Sequence, residues 1–326
     1  MNLCNFHFFY LPVMLIAMPL PAQVKIADPH NGRIAVEIDG KPYTDFYLAP
    51  DGNKPYFYPL RTASGIIVTR HYPMEEVEGE THDHPHHRGL FFAHGSVNGT
   101  DFWATEPGSK DPHKGRMALN RVVKLQSGRK SGTIEVVFDG FDCAGKPLMT
   151  ETRTITLYSD PELRIIDYQI SIESGQPLTF GDTKEGTFGI RLATDLSEDR
   201  TGRMVNAEGA ETEKNVWGKR SEWVDYFGKV DGRPVGVAIM DSPSNPRHPT
   251  YWHSRAYGLF AANPFGRRAF LGEKAPDGSF RLEPGQRLQF RYRVIIHSGD
   301  VKSAKIAELY RKYETEQGGR EGPNSR

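Results

Sequence analysis

Residues 132–141 read GTIEVVFDGF and place Ile134, Val136 and Phe138 at alternating positions. A period of two residues is typical of a β-strand with one buried face, because successive side chains of a strand point to opposite faces. The stretch 287–297, RLQFRYRVIIH, repeats this pattern near the other end of the chain. Both stretches predict antiparallel strands with one wet face, rather than the continuously apolar strands of a βαβ fold.

The same pattern recurs along most of the chain, separated by turn signals such as DGNKP, SDPE and APDGSF. Further strands are predicted at 34–38, 89–95, 121–126, 152–158, 162–172 and 234–240. The predicted fold class is therefore all-β, a large antiparallel β-sandwich that forms a single domain over residues 23–317.

One C-terminal α-helix is predicted after the last strand. Val301, Ala304, Ala307 and Tyr310 form an apolar stripe with helical spacing, and Asp300 is the expected N-cap. Residues 318–326 are polar and are predicted to form a disordered tail.

Composition excludes several classes of protein. The chain has 326 residues, with 41 Lys and Arg against 41 Asp and Glu, so its formal net charge is +0. A nucleic-acid partner is not expected, because such proteins normally carry a basic excess. Charged residues make up 25% of the chain, which argues against a membrane span.

The N-terminus predicts export. Residues 8–20 form an apolar run too short for a transmembrane helix, and a small residue, Ala22, follows it. We expect residues 1–22 to be a signal peptide and the protein to be periplasmic or secreted.

The functional segment of greatest interest is 80–103, ETHDHPHHRGLFFAHGSVNGTDFW. Five of the 12 histidines in the chain fall between His82 and His94. So many imidazoles are unusual in a core, since each buried ring nitrogen needs a hydrogen-bond partner. The segment therefore predicts a functional site.

The backbone of this segment is expected to be a strand edge or bulge at the rim of the site, because its proline interrupts a ladder. An extended chain would place His82, His84 and His86 on one face and Asp83 and His87 on the other.

Three interpretations of the histidines remain open. They form a hydrogen-bonded structural turn, or they transfer protons without a cofactor, or they bind a divalent transition metal. The metal ligands would then be His82, His84, His86 and His94.

Two further segments carry chemistry. Residues 181–193, GDTKEGTFGIRLA, combine Lys184, Glu185 and Arg191, and the glycine after Glu185 allows close approach of a ligand. Residues 242–266 contain four prolines and are predicted to be mostly loop, where sites tend to lie. This last segment holds Arg247, His248, Tyr251, Trp252, His253 and Arg255.

The motifs DHPHHRGLFFAHGSVNGTDFW, DTKEGTFGIR and NPRHPTYWHSRAYGLFAANPFG together resemble the bacterial methane oxygenase PmoA-like family, a domain of unknown function. The similarity runs from about Ile34 to Tyr313. It implies an exported protein of polysaccharide-degrading bacteria. The β-rich pattern is also similar to the supersandwich of galactose mutarotase-like proteins, which handle a sugar ring with histidines and a glutamate on one concave sheet face.

We therefore expect a carbohydrate-active enzyme that cleaves, lyses or epimerises a sugar, glycoside or oligosaccharide by acid–base chemistry. The alternatives are a metal-dependent lyase or oxidoreductase and a non-catalytic glycan-binding protein. The predicted catalytic residues are His86 or His87 as acid, Glu185 as base and His253. Trp252 or Tyr251 would provide the stacking platform, within a predicted substrate-binding set of Asp83, Arg88, His94, Asn98, Asp101, Trp103, Lys184, Arg191, Arg247, His248, Tyr251, Trp252 and Arg255.

Overall fold

A computed structural model describes residues 23–50, 53–106 and 111–318. The predicted signal peptide and residues 319–326 of the predicted tail lie outside the described residues. The strands, in chain order, are β1 Val24–Ile26, β2 Arg33–Ile38, β3 Lys41–Tyr47, β4 Tyr56–Tyr58, β5 Leu90–His94, β6 Arg116–Gln126, β7 Ser131–Phe141, β8 Pro147–Ser159, β9 Arg164–Glu173, β10 Leu178–Phe180, β11 Gly186–Arg191, β12 Arg203–Asn206, β13 Arg220–Ser221, β14 Trp223–Val230, β15 Arg233–Asp241, β16 Thr250–Arg255, β17 Leu259–Asn263, β18 Phe280–Leu282 and β19 Arg287–Ser298.

Two large antiparallel sheets form a sandwich. The first has the strand order β1-β2-β3-β4-β5-β11-β17-β16-β13, and the second has the order β12-β14-β15-β19-β9-β8-β7-β6. Strands β10 and β18 form a separate two-stranded ladder. The predicted all-β sandwich is confirmed, and every predicted strand is found: β2, β5, β6, β7, β8, β9, β15 and β19.

Aromatic side chains fill the space between the two sheets. Phe188 of β11 stacks on Tyr292 of β19 with ring centroids 4.5 Å apart, and Phe92 of β5 lies 5.4 Å from Phe290. Because neighbouring residues of a strand face opposite ways, Phe91 and Gly189 then lie on the other face of the first sheet. That outer face of β5 and β11 is the one available to a site.

Three helices occur in the described residues: α1 Glu213–Val216, α2 Arg267–Leu271 and α3 Ile306–Gly318. The C-terminal helix α3 packs Ile306, Tyr310 and Tyr313 against the outer face of the second sheet, in a cluster that includes Met240 and Ile295. Strand β15 is thus buried on both faces. No described helix is long and apolar enough to cross a membrane.

Helix α3 begins later than predicted. Asp300 accepts hydrogen bonds from the backbone amides of Lys302 (3.1 Å) and Ser303 (2.8 Å), so it stabilises a turn that precedes the helix. Lys305 has φ of +55°, a left-handed conformation that interrupts helical geometry. The predicted N-cap at Asp300 is therefore wrong, and the helix begins at Ile306.

Candidate active site

The floor of the site is a row of residues on the outer face of the first sheet, aligned by the register of its strands. Phe91 pairs with Gly189, Gly189 with Ala261, and Ala261 with His253, so one row of side chains crosses four strands. Trp103 lies over this row, with its ring 4.9 Å from that of Phe91 and 6.4 Å from that of His253. A Cβ at Gly189 would come within 3.3 Å of the indole, so glycine at this position gives Trp103 its place.

The loop 81–88 covers the floor and carries three histidines into mutual contact. The ring of His84 stacks on that of His87 at 4.8 Å, and the ring of His86 lies 5.7 Å from His84 and 4.4 Å from His87. With His253, which faces the same indole, these side chains form the histidine cluster (His84, His86, His87 and His253).

The loop is a turn, which corrects the predicted strand edge and its alternation of faces. The amide of His87 donates to the carbonyl of His84 at 2.9 Å, and His84 has φ of +46°. A chain that reverses at His84 brings His86 and His87 back onto the same surface, whereas an extended chain would separate them.

Asp83 orients His84. Its carboxylate accepts hydrogen bonds from Arg70 (2.6 Å), Arg191 (2.8 Å) and Nδ1–H of His84 (2.5 Å). Burial opposes the charge, but the hydrogen bonds, those from Arg191 foremost, hold the pKa of Asp83 well below its usual range. In neutral His84 the proton is therefore on Nδ1, and Nε2 is an acceptor with no hydrogen-bond partner among the described residues. Asp83 is a positioning residue, since protein donors occupy the carboxylate that was predicted to bind substrate.

His87 has the opposite tautomer. Nη1 of Arg191 lies 3.5 Å from its Nδ1, and a guanidinium can only donate, so Nδ1 is the acceptor. The proton is then on Nε2, which is buried and has no partner within the described ranges. The stacked pair thus presents one free acceptor, on His84, and one free donor, on His87.

Burial keeps three members of the cluster, His86, His87 and His253, uncharged. It lowers the pKa of His86 to about 3, with a further contribution from the charge of Lys54. It also lowers the pKa of His253 to about 3, helped by Lys184, and moves the pKa of His87 well below its ordinary value. These imidazoles are neutral at physiological pH, so they can accept and donate hydrogen bonds.

Three contacting residues were not predicted. Tyr257 places its ring 5.1 Å from that of His84 and under the Arg191 guanidinium, and burial raises its pKa to about 12. Because Tyr257 is two residues from Arg255 within residues 242–266, the sequence could have indicated it as a site residue. Arg70 and Lys54 lie in none of the three segments and could be found only from the fold.

Lys54 contacts both Trp103 and the floor of the site. Its Nζ donates to the carbonyl of Trp103 at 2.5 Å and lies 4.9 Å from the centre of the Phe91 ring. The side chain is buried, which lowers its pKa to about 7, and the charge of Arg88 adds to this effect.

Several predicted residues lie around the cluster. Glu185 is paired with Lys184 and about one third exposed. Arg255 forms an ion pair with Glu213 and lies 5.6 Å from the Tyr257 ring. Asp101 accepts the backbone amide of Trp103 at 2.7 Å and so holds the turn that places the indole.

Two predicted site residues lie elsewhere, and their placement corrects the prediction. Trp252 is completely buried on the core face and donates from its indole to the Ser221 carbonyl at 2.9 Å, so it cannot stack on a ligand. His94 also faces the core; its Nε2 donates to the Gly181 carbonyl, and its ring packs on Phe265.

Other predicted binding residues have structural partners. Arg247 donates to the carbonyls of Pro264 and Ser279, and His248 bonds to the buried Asp241. The remaining three have these contacts: Asn98 bonds to the Pro177 carbonyl, Tyr251 packs on Phe270, and Arg88 lies over the Tyr56 ring.

The alternative metal ligands do not converge. His82 stacks on Tyr72 and pairs with Glu76 at 3.0 Å, and His94 lies on the opposite face of the sheet from His84. Within residues 23–50, 53–106 and 111–318, no group of three or more His, Cys, Asp or Glu side chains is arranged to hold a metal ion. The proposed set of four is therefore not assembled.

Comparison with known proteins identifies a family model, described as a family of unknown function (DUF6807), that matches residues 33–311. No curated protein matches the sequence. The PmoA-like resemblance stays a prediction.

The fold is similar to the GH36 alpha-galactosidase AgaB from Geobacillus stearothermophilus, with a TM-score of 0.43, 10% identity, and coverage of 85% of this chain and 41% of that one. It is also similar to a galactose mutarotase-like protein from Clostridium acetobutylicum, with a TM-score of 0.39, 11% identity, and coverage of 84% and 98%. The chain thus spans about two fifths of the length of the alpha-galactosidase it matches.

Proposed function

We propose, for a chain that belongs to the DUF6807 family of unknown function, that the histidine cluster transfers protons on a hydroxyl-rich small molecule, a sugar or an oligosaccharide. The observation that supports this most strongly is the stacked pair of opposite tautomers, with a free acceptor on His84 and a free donor on His87. A hydroxyl group both donates and accepts, so it can engage the two rings together.

The base in this proposal is His84. When its Nε2 takes a proton, the Asp83 carboxylate stabilises the imidazolium through Nδ1–H, as the carboxylate does in a catalytic triad. Arg70 and Arg191 hold that carboxylate in place and ionised. The left-handed backbone of His84 is a conformation that residues with a Cβ adopt at a cost, and such strain concentrates at functional sites.

Two buried donors accompany the pair. Nε2–H of His87 and the indole N–H of Trp103 are buried without partners among the described residues. An unpaired buried donor costs about 1–3 kcal/mol, a cost that a bound oxygen removes. His86, His253 and Glu185 complete the proton-transfer set, and the reaction class is cleavage, lysis or epimerisation.

A sugar is the proposed ligand because neutral imidazoles, which can bond to hydroxyl groups, lie beside aromatic rings. Tyr257 is partly exposed at the edge of the cluster, and aromatic side chains contact the C–H groups of a sugar. Export to the periplasm or medium remains part of the proposal, resting on residues 1–22.

Turnover by His84→Gln tests the proposal. On a panel of glycosides and free sugars, we expect the rate to fall about 100-fold, because that is the lower end of what one positioned acid or base contributes. The melting temperature should stay near wild type, since His84 is only partly buried. His30→Gln, an exposed histidine far along the sequence, is the matched control and should keep full activity.

Glu185→Gln distinguishes the two candidate bases. A small effect of this variant beside a large effect of His84→Gln supports His84, and the reverse result assigns the base to Glu185. Full activity of His84→Gln and of His87→Gln would contradict proton transfer at the cluster.

A further inference from the structure

Cationic side chains surround the histidine cluster in excess. Lys54, Arg70, Arg88 and Arg191 are all buried, each less than one tenth exposed. Among the described residues a single carboxylate, Asp83, pairs with two of them. With the buried imidazoles neutral, the buried part of the site carries more positive than negative charge.

Lys54 and Arg88 are the uncompensated pair. Neither forms an ion pair within the described residues: Lys54 donates to the Trp103 carbonyl, and Arg88 donates from Nε to the Pro85 carbonyl at 3.4 Å. Burial is the main cause of the lowered pKa of Lys54, and repulsion by the charge of Arg88 adds to it.

Two described carboxylates act on the charge of Lys54, and both already have partners. Asp101 bonds to Lys114 at 2.6 Å and to the turn that holds Trp103. Glu106 lies at the rim, half exposed, with its Oε1 3.4 Å from Nδ1 of His86. Their attraction does not outweigh burial at Lys54.

Buried charges without partners are costly, and the cost falls when an opposite charge arrives. We propose that the sugar bound at the histidine cluster carries an anionic group, a carboxylate or a sulfate ester, which Lys54 and Arg88 stabilise near His86. The proposal rests on the proposed function for its ligand class, and it adds the charge of the substrate.

Binding preference is the measurement. Calorimetric titration at constant ionic strength compares each of glucose, galactose and mannose with its uronate and its 6-sulfate. We expect the wild-type protein to bind an anionic member at least about tenfold more tightly than its neutral parent, since one charge at a protein-like dielectric contributes that much. The uronate and sulfate arms identify the anionic group.

Lys54→Met and Arg88→Met should each reduce this preference, the ratio of the affinity for the anionic sugar to that for its neutral parent, about tenfold. Lys25→Met is the control for overall charge, because Lys25 is exposed and paired with Glu37 on β1 and β2. If Lys54→Met fails to fold, Arg88→Met carries the test.

Equal affinity for neutral and anionic sugars, a preference that survives both substitutions, or no binding by any member overturns the inference. Failure of the two proposals can be told apart. A lost charge preference with turnover that still depends on His84 leaves the proposed function intact. If the preference depends on Lys54 but His84→Gln keeps wild-type turnover, the proposal of an anionic ligand stands and the proposal of proton transfer by the cluster fails.

Discussion

Lowering the pH from 7 to 5.5 is expected to destabilise this protein, because its buried neutral histidines contribute a loss of about 5 kcal/mol, which two other histidines offset in part. Four histidines cause the effect: His86, His87, His94 and His253. Burial lowers the pKa of His94 to about 4 and that of His86 and His253 to about 3, and it places the pKa of His87 well below its usual value.

The direction follows from proton binding. In the unfolded chain these rings titrate near pH 6.5, so at pH 5.5 the unfolded state binds about four protons that the native state excludes. Stability therefore falls as the pH drops below about 7. His71 and His297 act in the opposite sense: their pKa values are raised, His71 through Glu80 and His297 through Asp225 against burial, so their stabilisation is complete below pH 6.5 and is lost as the pH rises.

Urea denaturation at pH 7.0, 6.0 and 5.5 measures this dependence. His94→Gln should remove about a quarter of the pH slope, because one of the four proton-binding sites is gone. Phe180→Leu is the matched control: it contacts the same ring without titrating, so it should lower stability and leave the slope unchanged. A free energy of unfolding that is flat between pH 7 and 5.5 would contradict neutral buried imidazoles.

Asp83→Asn is expected to lower the unfolding free energy by about 3 kcal/mol, because it leaves Arg70 and Arg191 buried without their counterion. We take the lower end of the usual range for a broken buried pair, since the Asp83 side chain is 35% exposed. Turnover should fall as well, because His84 loses the group that fixes its tautomer.

Urea denaturation at pH 7.5 and turnover on the same sugar panel measure both effects. The matched control is Asp195→Asn, which breaks the exposed ion pair with Arg200 and should cost less than about 1 kcal/mol. If Asp83→Asn unfolds at the wild-type urea concentration, the two arginines do not depend on this carboxylate.

Local patterns were sufficient for eight of the nineteen described strands, but residues 242–266, predicted to be mostly loop, contain β16 and β17, so that prediction was wrong. The alternation in β7 and β19 is written in consecutive residues and needs no distant partner, so it could be recognised directly. The predicted start of the C-terminal helix was wrong because the apolar stripe does not indicate that Lys305 has a left-handed backbone.

The three site segments were also recognisable, because histidines, arginines and acids are dense in each. The sequence did not show which residues of the three segments come into contact. Trp252 and His253 are adjacent, yet one faces the core and the other the site, and only the register of β16 against β17 decides between them.

By itself the sequence determined the sandwich, its long alternating strands and the segments in which the site lies, because these depend on residue type and on spacing between near neighbours. Tertiary structure alone decided which side chains form the site: the turn at His84, the opposite tautomers of His84 and His87, and the arrival of Lys54 from a distant part of the chain. Burial and partnership set the charge of each group, and both arise only when distant strands come together.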